Sequence, residues 1–155
     1  MLNLSSAKQS LVRGMQTGET GRIMFFRLLE HEDLVQAITK RAEQAGIRSG
    51  LFILIGSLEK AVVGYYRDGK YTSVQLDGPL EIASCSGNLA VDEKGSTVIH
   101  PHIVVTNSEG EAYGGHLMNG SPVGATAELV IIEAIGVDLK RKLDPKTKLN
   151  LWNLQ

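Results

Sequence analysis

Residues 97–118 read TVIHPHIVVTNSEGEAYGGHLM, with two apolar runs separated by a short polar turn. The turn residues 108–110, Ser-Glu-Gly, fit a three-residue hairpin loop in which glycine occupies the last, left-handed position. Such a loop pairs the residues on either side of it. Counting outward from that pair, His102 is predicted to lie opposite His116, with His100 two residues along on the same face.

A second turn of the same kind, at 93–95, predicts a third strand on the other side of His100. It should place Asn88 opposite His100 and Ser86 opposite His102. One face of this meander is then polar and carries the three histidines with Ser84, Ser86 and Asn88. The other face is predicted to be apolar and carries Leu89, Val91, Ile99, Ile103, Val105, Tyr113 and Leu117. A slip of one residue would move His116 to the apolar face.

The rest of the chain predicts further strands and one helix. The helix should open with His31-Glu32-Asp33, whose acidic residues suit its N-terminal end; Leu34, Ile38 and Ala42 then recur at helical spacing, and the helix should stop at Gly46. Short links between the strands require antiparallel pairing. The sequence therefore predicts an α+β fold, an antiparallel sheet of about seven to eight strands with one principal helix packed on it. The predicted strands are 22–29, 51–55, 61–67, 70–75, 80–91, 97–106, 111–118 and 125–135.

Length and composition limit the classes of protein to consider. The 155 residues suggest one domain, 1–155, and the net charge of −1 does not suit a free-standing nucleic-acid binder. Cys85 is the sole cysteine, which indicates a reducing compartment. The N-terminus does not look like a signal peptide, and no apolar stretch has the length of a membrane span. We therefore expect a cytoplasmic protein that does not enter a membrane.

Three of the four histidines are the principal candidate site. Three imidazole nitrogens with an open fourth position are typical of catalytic zinc, so His100, His102 and His116 are candidate ligands for zinc or a similar divalent metal. Ser86 and Asn88 would support these ligands or orient a bound molecule. The alternative is that the histidines are hydrogen-bonded residues of a subunit interface or a polar cleft.

Other charged residues give weaker indications. Glu128 and Glu81 are the candidate acid or base if the protein is an enzyme. His31 is expected to be an exposed residue of the first helical turn. Four cations near the C-terminus are expected to form a solvated basic face: Arg141, Lys142, Lys146 and Lys148.

The order of several short motifs is also informative. The chain resembles the plant and prokaryote conserved (PPC) domain family, in its stand-alone prokaryotic form, from about Arg22 to Leu154. The motifs that carry the resemblance are Gly56-Ser57-Leu58, Leu80-Glu81-Ile82, Ser86-Gly87-Asn88, His100-x-His102, Gly114-Gly115-His116-Leu117 and Thr126-Ala127-Glu128-Leu129.

The resemblance implies a homotrimer of antiparallel sheets with a packed helix, and a metal site at His100, His102 and His116. It also implies DNA binding, although the Arg-Gly-Arg-Pro hook of the plant proteins is absent from this sequence. The main hypothesis is a homotrimeric metal-binding module with a DNA-binding or regulatory role. The alternative is a zinc-dependent enzyme that uses a water bound by the three histidines. No motif identifies a substrate or small-molecule ligand.

Overall fold

Strands dominate the structure, a computed structural model that describes residues 15–154. Eight strands and one helix confirm the predicted α+β class and the antiparallel sheet with one principal helix. The helix is too short and too polar to cross a membrane. The elements are β1 (Glu19–Leu28), α1 (Leu34–Gln44), β2 (Gly50–Arg67), β3 (Lys70–Val91), β4 (Thr97–Thr106), β5 (Ala112–Leu117), β6 (Val123–Ile135), β7 (Arg141–Leu143) and β8 (Asn150–Trp152).

The main sheet has six strands in the order β1-β6-β2-β3-β4-β5. Two pairs of predicted strands are in fact continuous, since 51–55 and 61–67 form the single strand β2 and 70–75 and 80–91 form β3. Irregularities near Gly56 and Gly78 shift the register of the long hairpin without ending it. The far half of β2 then reaches β5, where Gly64 pairs with His116. Strands β2 to β5 thus form a closed circuit of pairings.

Both predicted turns and their registers are confirmed. The backbone N–H of Asn107 donates to the carbonyl of Glu111 at 3.1 Å, and Gly110 has a φ of +80°. The Asp92 N–H donates to the Ser96 carbonyl at 2.9 Å. As predicted, His102 pairs with both His116 and Ser86, and His100 pairs with Asn88. No bulge interrupts the β4–β5 pairing.

Helix α1 covers the apolar face of the sheet and encloses the core. The Asp33 side chain caps the helix by accepting from the Gln36 N–H at 3.1 Å, and it also accepts from Gly120 N–H at 2.7 Å. Because Asp33 holds the helix start to the loop before β6, the helix lies on the sheet in one position. The largest fully buried side chains are Phe52, Leu28, Leu34, Ile38, Ile47, Leu58, Leu89, Ile103, Leu117, Leu129, Ile131 and Val63.

The C-terminal segment is a hairpin, β7–β8, that the sequence did not indicate. The expected solvated basic face is wrong at one position, because Arg141 is only 9% exposed. Lys142, Lys146 and Lys148 are exposed as expected. His31 is exposed too, but it precedes the N-cap and so lies outside the first helical turn. Its imidazole contacts the Glu59 carboxylate.

Gly87 lies where β3 passes close to β4 and to the core. A Cβ at this position would lie 2.4 Å from the His100 carbonyl oxygen and 2.5 Å from the Phe52 ring. We expect Gly87→Ala to lower the free energy of unfolding by about 1–3 kcal/mol, because the overpacking falls on rigid neighbours. Urea denaturation measures the change. Ser86→Ala, at the exposed neighbouring position, is the control and should differ from wild type by less than about 0.5 kcal/mol; an equal loss in both variants contradicts this account.

Candidate metal centre

Three histidines converge where β4 meets β5. The ring centroid of His100 lies 5.2 Å from that of His102 and 5.1 Å from that of His116, and the remaining pair is 5.5 Å apart. One ring nitrogen from each residue lies within 4.8 Å of the others. The cause is the strand register, since residues i and i+2 share a face and direct partners on neighbouring strands share it too.

The three imidazoles differ in exposure. His102 is exposed, whereas His100 and His116 are partly buried. Burial, together with the positive charges of His100, His102 and Arg141, lowers the pKa of His116 to about 4. Burial, together with the positive charges of Arg141 and His102, also lowers the pKa of His100. Both rings are consequently neutral at pH 7, and the neutral imidazole is the form that binds a metal ion.

One nitrogen of the cluster is buried without a partner. His116 Nδ1 has no hydrogen bond with any residue that the structure describes. An unsatisfied buried nitrogen costs about 1–3 kcal/mol. Three neutral nitrogen donors from imidazole are a set that zinc and similar divalent ions prefer. The residues present therefore fit a divalent metal.

The polar neighbours predicted to support the histidines lie next to them. Ser86 is exposed and directly opposite His102 on β3. Asn88 is opposite His100, but its side-chain oxygen accepts from Arg141 Nη2 at 2.7 Å. Asn88 therefore joins the histidine face to the C-terminal hairpin, and its role as a support for a metal ligand stays a prediction.

Arg141 is the residue of this region that sequence reasoning missed. Its side chain passes from β7 to the histidine face, and Nη1 donates to the Asn150 carbonyl at 2.7 Å. Its guanidinium carbon lies 5.8 Å from the centroid of the Trp152 ring. No local pattern marks this placement, because it depends on how the hairpin folds back over β3 and β4.

Aromatic side chains form another wall of the cluster. The Tyr71 ring centroid is 5.2 Å from that of His116 and 5.5 Å from that of Tyr66. The Tyr66 hydroxyl in turn donates to the backbone carbonyl of Thr147, in the loop between β7 and β8. The long β2–β3 hairpin and the C-terminal hairpin thus meet over the histidines.

The two candidate carboxylates lie apart from the cluster. Glu128 is on β6, and β2 and β3 separate it from His102, which corresponds to about 14 Å at the usual strand spacing. Glu81 is paired with Thr106, four residues or about 13 Å along β4 from His102. Among the described residues, the structure brings no carboxylate to the three histidines. An acid or base role for either glutamate stays a prediction.

Comparison with known proteins agrees with this architecture. Residues 15–135 match the model of the Plants and Prokaryotes Conserved (PCC) domain, the family that the sequence motifs resemble. The chain is also 32% identical over 128 residues to the bifunctional protein GlmU of Synechococcus sp. (strain JA-3-3Ab), covering 81% of this chain. It spans about a fifth of the length of such curated relatives, 19% and 22% in two strains.

Solved structures of similar chains extend over nearly the whole fold. A metal-containing protein of Archaeoglobus fulgidus is 33% identical, with a TM-score of 0.81 over 89% of this chain and 99% of its own. A plant- and prokaryote-conserved protein of Pyrococcus horikoshii is 31% identical, with a TM-score of 0.84 over 94% and 99%. A Ralstonia eutropha JMP134 protein, described as a candidate DNA-binding protein, is 26% identical, with a TM-score of 0.75 over 84% and 90%.

The low pKa of His116 predicts how acid affects the metal-free protein. The unfolded chain binds a proton on this residue below pH 6.5, whereas the folded state resists protonation down to about pH 4. The contribution of His116 to the free energy of unfolding should therefore be fully present above pH 6.5 and be lost as the pH drops toward 4. Urea midpoints measured with chelator at pH 7 and pH 5 test this. His116→Gln should show a smaller fall than wild type, and an equal fall in the two proteins contradicts the assignment.

Proposed function

The chain belongs to the PCC domain family, and we propose that it is a metal-binding module in which His100, His102 and His116 hold one divalent cation. Zinc or an ion of similar chemistry fits three imidazole nitrogens with an open position. The observation that carries the proposal is the convergence of three ring nitrogens within 4.8 Å, one residue of which has a buried nitrogen without a partner.

The protein environment favours a bound cation in two ways. Burial keeps His100 and His116 neutral, so no proton has to leave either ring before a metal binds at pH 7. The strand register holds the rings in place before binding, which reduces the entropy that binding costs. When bound, zinc supplies a Lewis acid and an activated water at its open position. The metal-containing relative of A. fulgidus supports the presence of a metal.

We assign the protein a binding or regulatory role ahead of an enzymatic one. General acid–base catalysis requires a group within hydrogen-bond reach of the reacting atom. Glu128 and Glu81 are more than about 10 Å from His102 by strand spacing, too far for that purpose. A zinc-dependent enzyme is therefore our second hypothesis for the function.

The regulatory role that we propose is DNA binding. The similar protein of R. eutropha, described as a candidate DNA-binding protein, supports it. The chain carries 16 basic and 17 acidic residues, so any attraction to DNA must come from a local patch. Binding through phosphate contacts should weaken steeply when salt rises from 50 to 200 mM.

The buried free thiol of Cys85, whose pKa burial raises to about 12, suits the reducing cytoplasm that we propose for this protein.

We further propose that the protein assembles as a homotrimer, as the family resemblance implies. The face that carries His102 continues across the sheet as a row of direct partners, Ser86, Ile53, Val130 and Phe25. Phe25 is 77% exposed and Ile53 is 51% exposed. Exposed apolar patches beside polar residues mark contact surfaces between proteins. The C-terminal hairpin covers the histidine end of this face, and the apolar end at Phe25 and Ile53 is exposed among the described residues.

Replacement of the histidines tests the metal assignment. We expect one equivalent of metal in the purified wild-type protein and at least a tenfold loss of metal affinity in His102→Ala and in His116→Ala, because two nitrogen ligands hold the ion more weakly than three. Metal analysis after dialysis gives the result. His31→Ala, the fourth histidine and an exposed one, is the matched control and should retain wild-type metal. Unchanged stoichiometry in both cluster variants would falsify the site.

Replacement of the most exposed apolar residue tests the assembly. We expect wild-type protein to have the mass of three chains in light scattering and Phe25→Glu to have a smaller mass at the same concentration, because a buried charge without a partner opposes contact. Val74→Ser, an exposed apolar position on β3, is the control and should keep the trimer. A monomeric wild type, or a trimeric Phe25→Glu, contradicts the proposed interface.

A further inference from the structure

A cavity of about 340 Å³ lies beside the histidine cluster. His100 and His116 form one side, Tyr66 and Tyr71 form another, and Arg141 with the C-terminal hairpin closes the third. Its size suits a small molecule and not a protein segment. Its lining contains two cations, Arg141 and Lys148, and no carboxylate. The electrostatic potential inside is therefore positive.

Arg141 is the unusual group of this lining. The residue is nine-tenths buried, and no carboxylate of the described residues lies within ion-pair distance of it. Of its five N–H donors, one binds the Asn88 side chain and one binds the Asn150 carbonyl. Nε is buried and has no partner among these residues. A buried cation without a counter-ion is costly, and such groups usually pair with an anion.

We propose that the cavity binds a small molecule through a carboxylate or phosphate group, which the Arg141 guanidinium holds next to the three histidines. The inference rests on the proposed function, since it makes the histidine site a site for metal and anion together. A guanidinium suits this ligand because its planar donors bind two oxygens of a carboxylate or phosphate at once.

The other walls indicate how the rest of the molecule would lie. The Tyr66 and Tyr71 rings are set edge to face and offer apolar surface opposite Arg141. Lys148 adds a second positive charge at the rim, where it is exposed. A ligand with an anionic group and an apolar or ring-shaped body would contact both surfaces.

Contacts within the chain leave the charge of Arg141 without a counter-ion. Its hydrogen bonds are to the neutral oxygens of Asn88 and Asn150, and the Trp152 ring lies 5.8 Å from its guanidinium carbon. Arg141 lines the same cavity as His100 and His116, so its positive charge would repel a metal cation held by the histidines. An anion between Arg141 and the metal would remove that repulsion.

Trp152 provides a local probe of the cavity. It is the single tryptophan of the chain and lies 5.8 Å from the Arg141 guanidinium carbon. We expect acetate and inorganic phosphate, titrated against chloride at constant ionic strength, to change its fluorescence in a saturable way. The anion with the lower Kd distinguishes a carboxylate site from a phosphate site. Titrations are made on wild-type protein both loaded with zinc and treated with chelator, and loaded protein should bind more tightly.

Three variants decide the role of Arg141. Arg141→Met should raise the Kd at least tenfold, and Arg141→Lys should raise it less, because lysine keeps the charge and loses the planar donors. Lys142→Met, at the exposed neighbouring position on β7, is the control and should bind as wild type. Circular dichroism establishes folding, and if Arg141→Met does not fold, Arg141→Lys decides the result.

Failure of this inference is distinct from failure of the proposed function. Wild-type protein that contains metal and gives no saturable response to either anion overturns the anion site and leaves the metal assignment intact. Equal affinities in wild type and a folded Arg141 variant overturn it as well. Protein that contains no metal but keeps a response that depends on Arg141 contradicts the metal assignment and supports the anion site.

Discussion

The register of the β3–β4–β5 meander is the constraint on which the rest of this structure depends. Two turns with left-handed glycines, Gly95 and Gly110, set it. Asp92 and Asn107 hold those turns, because each side-chain oxygen accepts from two backbone N–H groups of its own loop. Since side chains alternate along a strand, a shift of one residue would exchange the polar and apolar faces. The same register buries Ile103 and Leu117 in the core and groups the histidines on the other face.

The histidine face combines one buried positive charge, Arg141, with imidazole rings that burial keeps neutral. Arg141 is held among neutral groups, and burial and its neighbours keep the nearby rings of His100 and His116 uncharged. A metal ion would use the nitrogen donors, and an anion would balance both the metal and Arg141. Metal and anion binding are thus expected to support each other, because each reduces the electrostatic cost of the other.

The candidate metal site and the proposed contact surface of the trimer lie on the same face of the sheet. The row of partners from His102 to Phe25 crosses five strands, and its polar end carries the histidines while its apolar end is exposed. Helix α1 covers the opposite face, and the C-terminal hairpin covers only the histidine end of this one, so Phe25 and Ile53 stay exposed among the described residues. An assembly built through Phe25 and Ile53 would bury the apolar end of this face and leave the histidine end, four strands from Phe25, at its margin.

The sequence by itself determined the pairing within the β3–β4–β5 meander, the presence of the helix and the cluster of three histidines, because turns, caps and side-chain alternation depend on residues close together in the chain. It did not show that β6 lies between β1 and β2, that β2 continues through Gly56 or that β5 pairs with β2, since these features depend on contacts between distant segments or on pairing that continues across a register shift. Arg141 required the tertiary structure. Its bond to Asn88 joins residues 53 positions apart, and only packing of the last hairpin against the sheet decides that they meet.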